Sequence, residues 1–195
     1  LKPLDKVIIA AAGPLFSLLL AYVFAFIVWG VGKPVSELPT TTIGYIPPGS
    51  PAAEAGLLPG DTIRAIDGQK VDKWMGNMEG VRELVALSEH EKINFTVERK
   101  KADGTVETIT IPCGYKLPET KWWQRSGMRQ VGIIPAAPAI VGKITPGSPA
   151  EKAGLKQGQH IIALNGQPVY SPSAVSVASA DGNPMQLTLT TPGTE

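Results

Sequence analysis

The distribution of apolar and polar residues divides the chain into one long apolar run and a longer region of short alternating segments. The run, residues 7–31, contains no charged side chain. As a helix it would be about 37 Å long, and the apolar core of a bilayer is about 30 Å thick. The pattern therefore predicts a transmembrane helix within residues 1–33, followed by a linker over 34–42. A cleaved signal peptide, whose apolar region is shorter, and a buried helix of a soluble protein are the alternatives.

Gly13-Pro14 interrupts the first third of this helix. Proline removes one backbone hydrogen bond and tends to kink a helix. The pair indicates either a kinked anchor or a place where other spans pack closely against this one. Lys2 and Lys6 precede the span, so the positive-inside rule places its N-terminal side in the cytoplasm and the remaining chain outside.

The region after the span contains an internal repeat. Residues 43–71 align with residues 141–169 without a gap, and 16 of the 29 positions are identical. This degree of identity indicates two copies of one structural module.

Each copy carries the local signals of a strand, a short helix and a hairpin. In the first copy, Ser50 is a natural N-cap before Pro51, Gly56 ends the helix, and Asp67-Gly68 makes a tight turn. Apolar periodicity predicts helices over 77–88 and 173–180, and strands over 43–46, 62–66, 93–98, 105–111 and 185–191. The expected fold is one transmembrane α-helix followed by two α+β, mainly β, domains.

Composition changes this picture little. Gly 21 and Pro 18 fit turn-rich β modules, and a formal net charge of +1 argues against nucleic-acid binding. Cys113 is the single cysteine, which excludes an internal disulfide framework and a multi-cysteine zinc cluster. We expect it to be a small apolar strand residue, and we expect His90 in a solvated turn and His160 on an exposed strand face. The connector over 116–130 carries Trp122-Trp123, which either pack the two copies together or contact lipid or another span.

The repeated motif resembles a known domain. Gly-Ser-Pro-Ala-x-x-Ala-Gly-Leu begins at Gly49 and again at Gly147, and a strand ending in Asp-Gly or Asn-Gly follows each time. This resembles the centre of a bacterial PDZ domain. The resemblance implies PDZ-like domains over 43–115 and 131–195, each a small, partly open β-barrel or sandwich with two helices. The second is expected to lack its last strand.

The apolar run carries a second resemblance. Residues 12–17, Ala-Gly-Pro-Leu-Phe-Ser, resemble the start of the second transmembrane helix of RseP-type site-2 proteases, where Asn follows three residues after Ala-Gly-Pro. Ser17 stands in place of that Asn, and a serine can still donate a hydrogen bond between helices. Gly13, Pro14 and Ser17 are therefore expected to be helix-packing residues. The order of span, short linker and tandem PDZ region also matches this family.

This resemblance implies a zinc metalloprotease that cuts substrate helices within the membrane. Its zinc would be held by the two histidines of a His-Glu-x-x-His helix, with that Glu as general base, and by an Asp of a Leu-Asp-Gly segment. Residues 90–94 begin as His-Glu but end in Asn, and Ile66-Asp67-Gly68 belongs to the hairpin turn. Zinc is thus expected in the full-length parent, and this fragment is expected to bind no metal and to contain no catalytic residue.

The same resemblance implies a location and partners. The PDZ region would lie on the periplasmic side of a bacterial inner membrane, above the active site, and admit only substrates already trimmed of bulky external domains. Expected partners are a transmembrane substrate protein or its C-terminal tail, membrane lipid and other transmembrane helices of the same parent. The alternatives are a membrane-anchored PDZ peptide-binding adaptor and an HtrA-like or secretion-system fragment. An upstream His-Glu-x-x-His would favour the protease, and a start methionine near Leu1 the adaptor.

A PDZ domain binds an extended chain at a sheet edge beside a helix. In the second copy, Gly132 lies in a segment that resembles the loop whose backbone N–H groups hold a terminal carboxylate; alternatively it is a simple strand-end glycine. The candidate peptide-binding residues of the second copy are this loop and the opposing helix: Val131, Gly132, Ile133, Ser173, Val175 and Val177. Those of the first copy, in which no such loop precedes Ile43, lie on one predicted helix: Met78, Val81 and Val85.

Overall fold

A computed structural model describes residues 3–32, 37–76, 78–101, 103–118, 127–180 and 182–190. The chain divides into two units, residues 1–36 and residues 37–195. The first unit contains one helix, and the second contains all the strands that the structure describes. The expected tryptophan pair of the connector lies outside the described residues.

Helix α1, Pro3–Val31, runs through Pro14 without interruption. It is the one helix of the described residues that is long and apolar enough to cross a membrane, by length and composition. Apolar residues surround it on all sides, which is typical of a buried or membrane-spanning helix. Near its C-terminal end, Phe26 stacks edge-on against Trp29 with ring centroids 6.3 Å apart.

The first repeat copy forms module 1, which is built on a four-stranded antiparallel sheet in the order β3-β2-β4-β5. In this sheet Ile63 pairs with Val97, and Phe95 pairs with Ile111 on the next strand. The elements of module 1 are β1 (Ile43–Tyr45), α2 (Pro51–Ala55), β2 (Thr62–Ile66), β3 (Gln69–Lys70), α3 (Val81–Leu87), β4 (Ile93–Lys100) and β5 (Val106–Cys113).

The short-range signals of the first copy act as predicted. The Ser50 hydroxyl accepts a hydrogen bond from the Ala53 N–H at 3.3 Å, and Gly56 ends α2 with a φ of 85°. Asp67 takes a φ of 49° in the turn after β2, and its carboxylate accepts the Asn94 N–H at 2.8 Å. The turn therefore also fixes the start of β4.

The core of module 1 is closed. Ile43, Ile63 and Phe95 have no exposed surface, and Cys113 is equally buried at the end of β5, as predicted. The core edge contains one buried carboxylate, Asp61, which is 1% exposed and accepts two hydrogen bonds from Arg99, at 2.8 and 2.6 Å. These bonds raise the pKa of Arg99 above its ordinary value.

The second repeat copy forms module 2, in which strands pair in the order β10-β8-β7 and β9 pairs with β8. Ser148 caps α4 by accepting the Glu151 N–H at 3.3 Å, as Ser50 caps α2. The elements are β7 (Ala139–Ile140), α4 (Pro149–Lys152), β8 (His160–Leu164), β9 (Gln167–Pro168), α5 (Pro172–Ala180) and β10 (Leu187–Thr190).

Module 2 buries its apolar residues less completely than module 1. Leu57 is 2% exposed, whereas Leu155, at the same repeat position, is half-buried, and Leu164 is half-buried where Ile66 is 1% exposed. No strand of the described residues lies outside β10 in the way that β5 lies outside β4. His160 was expected on an exposed face but is half-buried, because β8 has β7 and β10 on its two sides.

The segment before module 2 packs on module 1. Strand β6, Ile134–Pro135, pairs antiparallel with β1, and Tyr45 lies opposite Ile134. The Ala52 N–H donates to the Val131 carbonyl at 2.9 Å, at the start of α2. The boundary between two domains was expected at residue 131, and the sequence pattern did not indicate that residues 131–135 pack on module 1. The reason is that this pairing joins residues about 90 positions apart, which no local pattern encodes.

Candidate functional site: a groove beside helix α3

A groove of about 250 Å³ lies between α3 and the segment that leads into β6. One wall is helical and the other is an extended chain, which is the arrangement expected for the binding of an extended peptide. Its lining residues are Trp74, Val81, Arg82, Val85, Arg129, Gln130, Val131, Gly132 and Ile133.

The helical wall is apolar at its base. Val81 and Val85 are one turn apart on α3, so both face the same side of the helix. They are 1% and 6% exposed, and Trp74 beneath them is 6% exposed. Arg82 lies on the same helix with an exposed side chain. The wall therefore combines a buried aliphatic base with a charged rim.

The extended wall is held in place at Gly132. Its φ is 78°, in the region that favours glycine, and a Cβ at this position would lie 2.5 Å from the Ser50 Cβ. On the preceding side, Gln130 and Lys116 exchange two backbone hydrogen bonds of 2.8 and 2.9 Å. The backbone next to the groove is thus fixed by close packing against the cap of α2 and by a bridge to the chain that follows β5.

Two backbone N–H groups of this wall are available. Within the described part of the chain, no backbone acceptor bonds to the N–H of Gly132 or of Ile133. Successive backbone N–H groups in a turn or in a right-handed then left-handed conformation form a concavity suited to an anion. Gly132 lines the groove, and its role in holding a terminal carboxylate stays a prediction.

The charge around α3 is divided between its two sides. Arg82 and Arg129 line the groove, and no carboxylate of the described part of the chain lies in its lining. A cavity of about 400 Å³ on the other side of α3 is lined by Asp67, Glu89 and His90, together with Met78 and apolar residues of α3. The helix thus separates a basic groove from an acidic cavity.

Arg129 is itself held in position. Its Nη1 donates to the His90 carbonyl at 2.6 Å, and its guanidinium lies 4.2 Å from the centre of the Tyr115 ring. His90 is exposed, as expected of a turn residue. Its carbonyl, not its imidazole, makes the contact with the groove arginine.

The structure regroups the residues expected to bind peptide. Val131, Gly132 and Ile133 were expected to face Ser173, Val175 and Val177 of the second copy, but they line a groove with Val81 and Val85 of the first. The segment opposite α3 thus comes from downstream in the chain, and the peptide-binding role of all these residues stays a prediction. Met78 is 70% exposed and lines the acidic cavity, so it is not part of the groove. Ser173, Val175 and Val177 lie on α5, with Val177 46% exposed.

Sequence reasoning missed Trp74 and Arg82 as groove residues, and it treated Arg129 only as part of a basic connector. Arg82 follows Val81 on the predicted helix, so the helix pattern could have indicated it. Arg129 directly precedes the Gln-Val-Gly-Ile segment and could have been found with it.

The remaining candidates for chemistry are structural. Burial, with a smaller effect from Glu54, raises the pKa of the Cys113 thiol to about 11, which makes it a poor nucleophile. In the described ranges, no three His, Cys, Asp or Glu side chains group as they would to hold a metal ion.

On α1, a Cβ at Gly13 would meet no neighbouring atom within 4 Å. The helix-packing role of Gly13, Pro14 and Ser17 thus stays a prediction.

Comparison with known proteins agrees with the repeat and its fold. The sequence model of the PDZ domain family matches residues 42–99 and 140–183, about half of the chain. The chain belongs to the PDZ domain family. The two matches fall on the two repeat copies, so the PDZ resemblance of the repeated motif is confirmed.

Similarity to individual proteins extends beyond these matches. The chain is 30% identical to Protease RseP of Yersinia pestis, over 94% of the chain and 40% of that protein. It is 27% identical to Regulator of sigma E protease of Haemophilus influenzae, over 83% of the chain and 35% of that protein. It is 32% identical to a Neisseria meningitidis protein named "Putative zinc metalloprotease", over 87% of the chain and 36% of that protein. The resemblance to RseP-type proteases is therefore confirmed, and the chain spans about two fifths or less of the length of these relatives.

Proposed function

We propose that this chain is the membrane-anchor and PDZ portion of a zinc-dependent intramembrane (site-2) protease, and that it filters substrates for that protease. One observation carries the proposal: the similarity to Protease RseP covers 94% of the chain. Similarity of this extent includes most of the apolar helix as well as both PDZ matches. An HtrA-type protease would have a trypsin-like domain between its anchor and its PDZ region, and this chain has only a short linker there.

In this proposal, α1 spans the inner membrane of a bacterium, and both modules are on the periplasmic side. The support is physical: α1 is long enough to cross the apolar core and has no polar face that would suit a soluble protein. Gly13, Pro14 and Ser17 contact other spans of the same parent, because small residues allow helix backbones to approach closely in lipid.

The two modules act as tandem PDZ domains, each a partly open β-barrel. The groove of module 1 binds an extended segment of a transmembrane substrate or its C-terminal tail. The segment lies between the aliphatic base of Val81 and Val85 on α3 and the N–H groups of Gly132 and Ile133. Backbone hydrogen bonds give the affinity of this binding mode, and side-chain pockets give its specificity.

The zinc of such a protease would be bound elsewhere in the parent. The described residues of this chain provide no group of ligands that fits zinc, whose protein sites use three or four His, Cys, Asp or Glu side chains. No catalytic step is therefore assigned to this chain. Its contribution is to bind and to exclude substrates, while the metal supplies the hydrolytic chemistry when it is bound in the parent.

The filtering role is tested with the full-length parent in proteoliposomes. Three forms of one transmembrane substrate are compared: intact, trimmed of its external domain, and trimmed with an inert folded domain fused in its place. We expect rapid cleavage of the trimmed form only, because folded domains of any identity would be too large to pass the PDZ region. Equal cleavage of all three forms would contradict the filter.

A further inference from the structure

The groove of module 1 has a charge that its proposed function does not require. A groove that bound any extended chain would need only the apolar base and the backbone N–H groups. Here two guanidinium groups, those of Arg82 and Arg129, stand on the two opposite walls, and among the residues that the structure describes no carboxylate lines the groove. We infer that the groove selects extended peptides with acidic side chains next to an aliphatic carboxyl end, an inference that rests on the proposed peptide binding.

The position of Arg129 supports a role in recognition. One of its five N–H groups is used on the His90 carbonyl, and its planar face is stacked near the Tyr115 ring. The guanidinium is therefore already oriented, so little side-chain entropy is lost when the remaining N–H groups bind a carboxylate. The residue is half-buried, which places its charge where solvent screens it less than at a free surface.

Arg82 supplies the second charge from the facing wall. It is exposed on α3, next in sequence to buried Val81. A long arginine side chain at this position reaches over the groove edge while its stem covers apolar surface. An acidic ligand side chain between the two walls would meet positive charge from both sides.

The base of the groove determines what accompanies the acidic residue. Val81, Val85 and Val131 are all nearly inaccessible to solvent, and Trp74 closes the space below them. A volume of about 250 Å³ is enough for one or two aliphatic side chains and little more. The ligand class is therefore a short extended segment with an acidic residue followed by small aliphatic residues.

The second repeat copy provides an internal comparison. Its corresponding helix, α5, has the sequence Pro-Ser-Ala-Val-Ser-Val-Ala-Ser-Ala and contains no charged residue. The arginine rim thus belongs to module 1 alone and is not a general feature of the repeat. The acidic cavity on the other side of α3 also shows that positive charge is not spread over the whole module.

The test measures binding of three fluorescein-labelled hexapeptides to the whole chain in detergent micelles. The peptides are Ser-Gly-Glu-Glu-Val-Val, Ser-Gly-Gln-Gln-Val-Val and Ser-Gly-Lys-Lys-Val-Val, each with a free carboxyl end. We expect the acidic peptide to bind about 10-fold more tightly than the glutamine peptide at low salt, and the lysine peptide to bind most weakly. The preference should shrink at high salt because the charges are partly exposed.

Variants then assign the preference to named residues. Arg82→Gln should reduce the preference for the acidic peptide over the glutamine peptide by about 3- to 5-fold, as expected for one exposed ion pair. Arg82→Lys should keep most of the preference for the acidic peptide, since the charge remains. Arg64→Gln is the matched control, because Arg64 is an exposed arginine of the same module that pairs with Glu98 outside the groove.

The outcomes separate the inference from the proposed function. Equal affinity for all three peptides, unaffected by Arg82→Gln, would overturn the acidic selection and leave the groove as a general peptide site. Failure of all three peptides to bind would contradict the groove itself. An acidic preference that Arg64→Gln reduces as much as Arg82→Gln would reflect the overall charge of the module and would also overturn the inference.

Discussion

At the scale of single residues, Gly132 connects the fold to the candidate site. Its positive φ turns the extended wall of the groove, and its missing side chain lets that wall rest on Ser50, the cap of α2. One residue therefore satisfies a backbone requirement and a packing requirement. The two can be separated, because Gly147 has the same φ of 78° but a Cβ there would meet nothing within 4 Å.

We expect Gly132→Ala to lower the free energy of unfolding by about 2–5 kcal/mol, since the left-handed backbone costs about 1–2 kcal/mol and the overlap with Ser50 adds about 1–3 kcal/mol. Gly147→Ala should lower the free energy of unfolding only by the cost of the left-handed backbone, about 1–2 kcal/mol. Chemical denaturation of both variants checks this difference. Equal losses would mean that the close approach to Ser50 has no energetic consequence.

Cys113 gives a second prediction at this scale. Because burial raises its pKa to about 11, the folded protein at pH 8 holds a neutral, covered thiol. We expect a disulfide reagent to react at least about 100-fold more slowly with the folded chain than with the chain in urea, since the thiolate is the reactive form. Similar rates in both conditions would show that β5 opens readily.

The raised pKa of Cys113 also makes the stability of the fold depend on pH. The ordinary thiol pKa is about 8.5, so the unfolded chain loses this proton first as the pH rises. Between about pH 9 and pH 11 the folded state binds more protons than the unfolded state, and the contribution of Cys113 to stability falls. Cys113→Ala should flatten the decline of unfolding free energy over this range. An unchanged pH profile would contradict the assigned cause.

At the scale of elements, the segment 131–136 forms one wall of the groove and packs on module 1. Its backbone is bonded to α2 through the Val131 carbonyl and to the chain before β1 through the Ala136 N–H, which donates to Thr42 at 2.9 Å. Gly44 makes room for it, since a Cβ there would overlap Pro135 and Ala136. The groove wall is therefore stable only while β1 and β6 stay paired.

The repeat supplies a matched pair for testing this point. Gly44 and Gly142 occupy the same repeat position, but a Cβ at Gly142 meets nothing within 4 Å. We expect Gly44→Ala to displace β6, to lower stability by about 1–3 kcal/mol and to speed amide exchange in residues 131–136. Gly142→Ala should change neither the stability nor the amide exchange of residues 131–136. Faster exchange in both variants, or in neither, would contradict the proposed support of the groove wall.

How far the sequence predicts the fold depends on the range of each signal. The caps at Ser50 and Ser148 and the turn at Asp67 are encoded within a few residues, and the structure has them where the sequence places them. The pairing of β1 with β6 is not encoded locally, because alternation shows that a segment is a strand but not which edge it joins. For the same reason the sequence did not indicate that Val131, Gly132 and Ile133 line a groove with Val81 and Val85.

At the scale of the whole second unit, the two modules are joined by more than the peptide chain. The Tyr170 ring covers Gly60 of module 1, where a Cβ would lie 2.9 Å from the ring, and the Ala137 N–H donates to the Tyr170 carbonyl at 2.9 Å. The groove wall continues directly into this contact. A ligand in the groove of module 1 would therefore bind beside the segment that holds module 2.

The central claim is that this chain is part of a zinc-dependent intramembrane protease, and the most direct measurement is made on the full-length parent in proteoliposomes. Zinc content and cleavage of a trimmed transmembrane substrate are measured with and without a chelator. We predict one zinc per protein and cleavage that the chelator abolishes and added zinc restores. A parent that contains no zinc and leaves the substrate intact would contradict the account, and the chain would then be a membrane-anchored peptide-binding module.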